Sequence, residues 1–207
     1  MNGIGELMIL ISDEMLVGRV LRGELSAFEE LVNRYKKPIF SVVYRMVGQY
    51  QEAEDVTQEI FFTVYEKLHL FNQNRKFAPW IYRIATNSSI SALRKKKKVV
   101  ILDFDENIAR LDEYHYSSPY IADPHVMFEK KELREEIDSA IEELNENYKI
   151  IIILRYKTDL NNQEIADILN VTKENVEVKV HRARKALRKI LLKRWQERGI
   201  KDGLPAN

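Results

Sequence analysis

The sequence predicts an all-α protein of two small helical domains joined by a flexible acidic linker, and three observations predict it. Proline and glycine are scarce, five and seven in 207 residues, and they cluster at joints. Strand-like alternation is lacking, while apolar residues recur at helical spacing along most of the chain. Charge is segregated although the net charge is +1. Residues 67–102 carry nine Lys or Arg and no acid, residues 178–194 carry eight and no acid, and residues 103–146 carry fourteen acids against four bases. Two basic blocks on helical patterns suggest two sites for a polyanion.

The length suits one ordinary domain or two small ones, and 45% apolar residues suffice for real cores. With no cysteine, disulfides and thiolate metal sites are excluded, which fits a reducing compartment. The apolar run Leu7–Ile11 is too short for a signal peptide or a membrane span, so a soluble cytoplasmic chain is expected. His69, His115, His125 and His181 show no ligand spacing, and no Gly-rich phosphate loop or nucleophile motif occurs. No enzyme, cofactor, metal or small-molecule substrate is therefore expected.

After an N-terminal extension, 1–11, the first unit spans 12–98. Ser12 or Asp13 can cap its opening helix. A second helix runs from about Ser26 with Phe28, Leu31, Val32 and Tyr35 on one side, and Pro38 is expected to interrupt it. A third starts near Gln51. Ala53, Val56, Ile60, Val64 and Leu68 make its core stripe, and Asp55, Glu59, Phe62 and Glu66 line the opposite face. A fourth runs from Pro79, which suits a first helical turn. Ile81, Ile84, Ala85, Ser88 and Ala92 form its packed side, and Trp80, Arg83, Asn87, Ser91 and Arg94 line another. An aromatic, hydrogen-bond donors and cations in one row suit single-stranded DNA, where bases stack and phosphates meet cations. Trp80 suits a core anchor equally well. The preceding loop, with Phe71, Asn72, Asn74, Arg75 and Lys76, adds an aromatic and more donors. Lys95 to Lys98 suit phosphates without reading sequence.

Residues 99–125 form the linker, whose stretch from Asp103 is acidic and carries Pro119 and Pro124. The second unit spans 126–198, followed by a tail, 199–207, expected to fray. Ile150–Leu154 alone fits a strand or a helix; its flanks continue a helical pattern, which makes it a buried helix. Asn162–Val176 reads as two helices around a tight corner. Ile165, Ala166 and Leu169 face inward, Asn170 takes the left-handed turn, Val171 plugs the corner, and Thr172 caps the next helix with Glu174 in its first turn. That helix buries Val176, Val180, Ala183 and Leu187 and presents Asn175, Val178, His181, Arg182 and Lys185, as a recognition helix in a major groove requires. Spacing alone fits an ordinary αα-hairpin as well; the residue set and the basic continuation favour a helix-turn-helix.

Four stretches taken together resemble a known family: 13–17 with 23–32, Ala53–Phe61 (AEDVTQEIF), Trp80–Asn87 (WIYRIATN), and the helix-turn-helix with His181–Leu187 (HRARKAL). They resemble a bacterial RNA polymerase sigma factor, more closely the extracytoplasmic-function (ECF, sigma-70-like) group, which keeps the second and fourth sigma domains. The resemblance implies that 12–98 is sigma domain 2 and 126–198 is sigma domain 4. It implies core RNA polymerase as partner, engaged through the β′ clamp helices and the β subunit, with Asp55, Gln58, Glu59 and Phe62 at the clamp-helix positions. It places Phe71, Asn72, Asn74, Arg75, Lys76, Trp80, Arg83, Asn87, Arg94 and Lys95 at a melted −10 element, with Phe71 and Asn87 at the pocket for a flipped base. It places Thr172, Lys173, Asn175, Val178, Lys179, His181, Arg182 and Lys185 at a −35 duplex of promoter DNA. The linker would pass near the path of nascent RNA. An anti-sigma factor, often membrane-bound, is also implied. The sequence departs from the family at Ser91, where Asp is common, at Asn170, where Gly is common, and at Glu177, where a base is frequent. Glu177 should repel phosphates or accept from a cytosine amine. A stand-alone helix-turn-helix regulator would explain the second unit and ignore the first.

Overall fold

The computed structural model describes residues 11–97 and 124–198, with side chains through Lys95 and from Glu132 onward. Most of the expected N-terminal extension, the tether as far as 123 and the tail 199–207 lie outside the described residues. The chain divides into two compact units between Lys97 and Lys98, and among the described residues all regular structure is helical.

The first unit opens with α1 (Asp13–Leu21), capped by the Ser12 hydroxyl, which accepts from the Met15 N–H. Next comes α2 (Leu25–Val47), which corrects one expectation: it runs unbroken through Pro38. The ring sits on the exposed side, and a proline there costs about 3 kcal/mol of helix stability. Burial on both sides of it offsets this, with Ala27 and Leu31 before and Ile39, Val42, Val43 and Met46 after, all at most 2% exposed. α2 ends at Gly48, whose φ of 79° is the left-handed conformation that glycine adopts without a steric penalty. α3 (Tyr50–Lys67) buries the expected stripe of Ala53, Val56, Ile60 and Val64, and the turn Leu68–Leu70 adds Leu68. α4 (Phe77–Lys97) packs against α1, α2 and α3. Asp13 anchors α1 to α2 by accepting from Arg34 Nη1 at 2.8 Å and from the Tyr35 hydroxyl at 2.5 Å.

The second unit contains α5 (Pro124–Glu142), α6 (Glu146–Lys157), α7 (Asn162–Leu169) and α8 (Lys173–Glu197). α5 starts two residues inside the stretch read as tether. Ile150 to Leu154 are all buried within α6, as expected of a central helix. Its buried Lys149 ammonium meets Glu142 at 2.5 Å, so the charge is paired. α8 packs against α5, α6 and α7. Near its end Arg194 donates to the Ser139 hydroxyl at 3.2 Å and from Nε to Glu143 at 3.0 Å. One member of the second basic block thus holds α8 to α5.

Candidate functional site

The outer face of α3 is built as its pattern implies. With the stripe facing inward, Asp55, Gln58, Glu59 and Phe62 are left exposed, Phe62 at 63%. Tyr65, also exposed, packs edge-on to Phe28 at 4.9 Å. An exposed phenylalanine between carboxylates is a surface suited to a protein partner.

The loop before α4 differs from expectation at its aromatic. Phe71 is 6% exposed, with ring contacts to Phe77 at 5.6 Å and Trp80 at 5.3 Å, and Phe77 meets Tyr35 at 5.4 Å. Phe71 is therefore no free stacking platform. An apolar ring next to other rings gains more from burial than from standing in water. Trp80 is half-buried on the same cluster, in ring contact with Phe71 and Phe77. Asn72, Asn74, Arg75 and Lys76 are exposed. The Asn72 side-chain oxygen accepts from the Asn74 N–H at 3.0 Å and its carbonyl from the Arg75 N–H at 2.9 Å, a tight turn that shapes the loop.

On α4, Arg83, Asn87, Ser91 and Arg94 of the expected row are exposed, and so is Lys95. The packed side is rotated from expectation: Ile81, Tyr82, Ala85, Thr86, Ser89 and Leu93 are buried, while Ile84, Ser88 and Ala92 are half-buried. The helix is covered by three neighbours rather than one, which widens its inner face past a single stripe. The buried Ser89 hydroxyl is satisfied by the Ala85 carbonyl at 2.8 Å. Between α3 and α4 lies an open groove lined by Glu52, Val56, Glu59, Asn87, Ser88, Ser91, Ala92 and Lys95.

One residue in the first unit gave no sequence signal. Glu14 of α1 accepts from the Phe77 N–H, the first of α4, at 2.9 Å across 63 residues. Burial pushes this carboxyl up, but the N–H groups of Phe77 and of Glu14 itself, the Ser12 hydroxyl and Lys76 together hold it below 4.5. α4 was expected from Pro79 but begins two residues earlier at Phe77, so Lys76 stands just before it, and a lysine side chain has no acceptor.

In the second unit the corner forms from local chemistry. Asn161 and Glu164 make a reciprocal capping box at the start of α7. Asn170 has φ 54° and ψ 50°, the expected left-handed turn, and the Val171 N–H reaches the Ala166 carbonyl at 3.0 Å. The Thr172 hydroxyl accepts from the Asn175 N–H at 3.2 Å and starts α8. Ile165, Ala166 and Ile168 are buried, with Leu169 half-buried, so the inner side of α7 is broader than expected. In α8, Val176 and Ala183 are fully covered, and Val180 and Leu187 half so.

Asn175 corrects another expectation. It is 6% exposed, because the inner face of α8 extends from Val176 to its neighbour. Thr172, Lys173, His181, Arg182 and Lys185 are exposed, and Val178 and Lys179 are half-buried. Glu177 is exposed and meets Lys173 at 3.6 Å and the Asn162 amide at 3.4 Å. Among the described residues no group of three or more His, Cys, Asp or Glu could hold a metal, and no helix is long and apolar enough to cross a membrane. The described surfaces are an acidic apolar face and a basic helix in the first unit and a capped basic helix in the second.

Comparison with known proteins agrees with this division. The family described as Sigma-70 region 2 matches residues 31–99, and Sigma-70, region 4, matches 134–187. The ECF RNA polymerase sigma factor SigW of Bacillus subtilis is 38% identical over 178 residues, covering 84% of this chain and 94% of SigW. The ECF RNA polymerase sigma-E factor of Escherichia coli is 33% identical over 178 residues, covering 86% and 93%. Two solved structures share the fold. CnrH in complex with the cytosolic domain of CnrY has a TM-score of 0.62 at 21% identity, covering 86% of this chain and 96% of that one. The sigma factor RpoE in complex with the anti-sigma factor NepR, from Bartonella quintana, has 0.58 at 17%, covering 79% and 96%. With both sigma regions present in order and ECF relatives aligned over most of its length, this chain belongs to the sigma-70 family and is an extracytoplasmic-function RNA polymerase sigma factor.

Proposed function

We propose that this sigma factor brings core RNA polymerase to promoters by dividing the work between its units, without enzymatic chemistry of its own. The first unit, 12–98, docks on the polymerase and captures the melted −10 strand. The second, 126–198, holds the −35 duplex, and 99–125 tethers the two. On α3, Asp55, Gln58, Glu59 and Phe62 meet the β′ clamp helices; the exposure of Phe62 among carboxylates supports this. The exposed row Arg83, Asn87, Arg94 and Lys95, with Asn72, Asn74, Arg75 and Lys76, supports the strand-capture role. In this reading Phe71 and Trp80 shape the floor of the base pocket, and extruding the base into it costs about a few kcal/mol of unstacking. On α8, Lys173, Val178, His181, Arg182 and Lys185 reach the duplex, with Thr172 and Lys179 beside them. Asn175 belongs to the packing of α8, as its burial supports.

The acidic face of α3 and the basic row of α4 in one unit is the observation that carries this reading over that of a stand-alone helix-turn-helix regulator. The neighbours solved with CnrY and NepR support an anti-sigma partner for this chain too, and the ECF group supports a cytoplasmic site of action. The test is transcription in vitro with core polymerase on genomic DNA, with start sites mapped. New starts sharing two short upstream elements are expected. If the chain neither co-purifies with core polymerase nor moves its starts, the reading fails.

A further inference from the structure

The segment that matches Sigma-70 region 2 begins at residue 31, so α1 lies before it. The geometry nevertheless joins α1 to the strand-capture surface at two points. The Glu14 carboxylate accepts from the Phe77 N–H at 2.9 Å, at the point where the 72–76 loop hands over to α4. One turn later Gly18 faces the loop: a Cβ built on it would lie 3.3 Å from Gln73 Oε1.

The first N–H groups of a helix need an acceptor, ordinarily the side chain of the residue just before it. Lys76 cannot serve, so α4 takes its cap from another helix. That carboxylate also stands at the positive end of the α4 dipole. Glu14 is itself held in place, since the adjacent Asp13 is fixed by Arg34 and Tyr35 of α2. Ser12 caps the same turn. Behind the junction the rings of Phe71, Phe77 and Trp80 are in contact. The loop is thus fastened at its start by the Asn72 turn and at its end by Glu14.

We propose that Glu14 is a positioning residue for −10 strand capture, a cap supplied by α1 that fixes the 72–76 loop and the first turn of α4 in the shape that receives unstacked bases. Glu14 touches no base. It acts by sparing the strand the entropy of ordering the loop on binding. This rests on the strand-capture role proposed for the first unit and adds α1 to it.

The test uses the full chain assembled with core polymerase. The probe is a fluorescent single-stranded oligonucleotide carrying the −10 element of a start site mapped with the wild-type chain. A duplex carrying the −35 element is the control. Glu14→Ala is expected to weaken strand binding roughly fivefold, the loss of one hydrogen bond to a junction left open. Duplex binding should stay unchanged at temperatures where the variant is folded. Glu14→Gln keeps an acceptor oxygen and should recover most of the strand affinity, a rescue that a general loss of stability would not show. If the alanine variant does not fold, Glu14→Asp carries the test: it keeps the charge but falls one methylene short of Phe77, and it should lose strand affinity too. Strand binding equal to wild type in a folded Glu14→Ala or Glu14→Asp, or equal losses on strand and duplex, overturns the proposal. Failure of the wild-type chain itself to confer strand binding on the polymerase would instead overturn the strand-capture role.

Discussion

α4 and α8 are both long basic helices, of 21 and 25 residues, but they are started in different ways. α8 begins on its own sequence: Thr172 caps it, Glu174 sits in its first turn, and Asn170 makes the corner before it. α4 begins on a distant residue, Glu14, and on the aromatic cluster of Phe71, Phe77 and Trp80. The helix proposed to read duplex is preset by local chemistry, and the one proposed to capture the strand by tertiary packing. Damage to a core should therefore reach strand capture before it reaches duplex binding.

The largest effect that would test this is Phe77→Ala. Phe77 is fully buried and joins the rings of Phe71, Trp80 and Tyr35. Removing it should cost about 3–5 kcal/mol, through lost burial and the cavity left behind. Denaturant unfolding of the first unit should shift by that amount and use of the −10 element should vanish. Binding to a −35 duplex should persist, because the second unit has its own core. Loss of both activities would mean that the units do not stand apart as this comparison requires.

Next is Arg182→Ala, on the exposed face of α8. Removing a hydrogen bond to a base edge there should cost about 1–3 kcal/mol, a drop of tenfold or more on the −35 duplex with relaxed preference at one position. A uniform loss across all sequences, with a shallower salt dependence, would reassign Arg182 to a phosphate. Unchanged promoter choice would remove it from the interface.

Below that lies Asn161→Ala, which deletes the capping box of α7. About 1 kcal/mol should be lost from the second unit, read by chemical denaturation, with the first unit unmoved. It sharpens the contrast, since the carboxylate that accepts from the first N–H of α4 lies 63 residues away.

The same contrast explains what was legible in the sequence. The stripe of α3, the Ser12 and Thr172 caps and the left-handed Asn170 were readable because each depends on residues within a turn or two. Ile150–Leu154 was readable once its flanks were taken in. What failed to show depends on packing between elements rather than within one. Pro38 stays inside α2 because burial on either side outweighs the missing hydrogen bond. Phe71 turns inward because Phe77 and Trp80 are there to receive it. The inner face of α4 widened because three helices cover it, and that of α8 took in Asn175. Arg194, part of a basic run in sequence, is held by Ser139 and Glu143 of α5.

The smallest expected effect compares two carboxylates at helix starts. Glu14 is held below its ordinary 4.5: burial raises it, and the Phe77 and Glu14 N–H groups, Ser12 and Lys76 outweigh that. Glu174 is lowered by its own backbone N–H first and by the Thr172 hydroxyl second, and it is fully exposed. A carboxyl lowered in the folded state binds fewer protons there than in the unfolded chain. Its contribution is complete above the ordinary value and is lost as pH falls from there through the folded value. Neither residue should affect stability near neutral pH through titration. Below about pH 4.5 Glu14→Gln should flatten the acid limb of the first unit's unfolding curve, and Glu174→Gln that of the second. The Glu14 effect should be the larger of the two, because water screens an exposed carboxylate more strongly than a half-buried one. If Glu174→Gln flattens its unit's curve as much as Glu14→Gln does the first unit's, the distant cap is no stronger than a local first-turn acid, and the distinction between the two helices reduces to sequence distance alone.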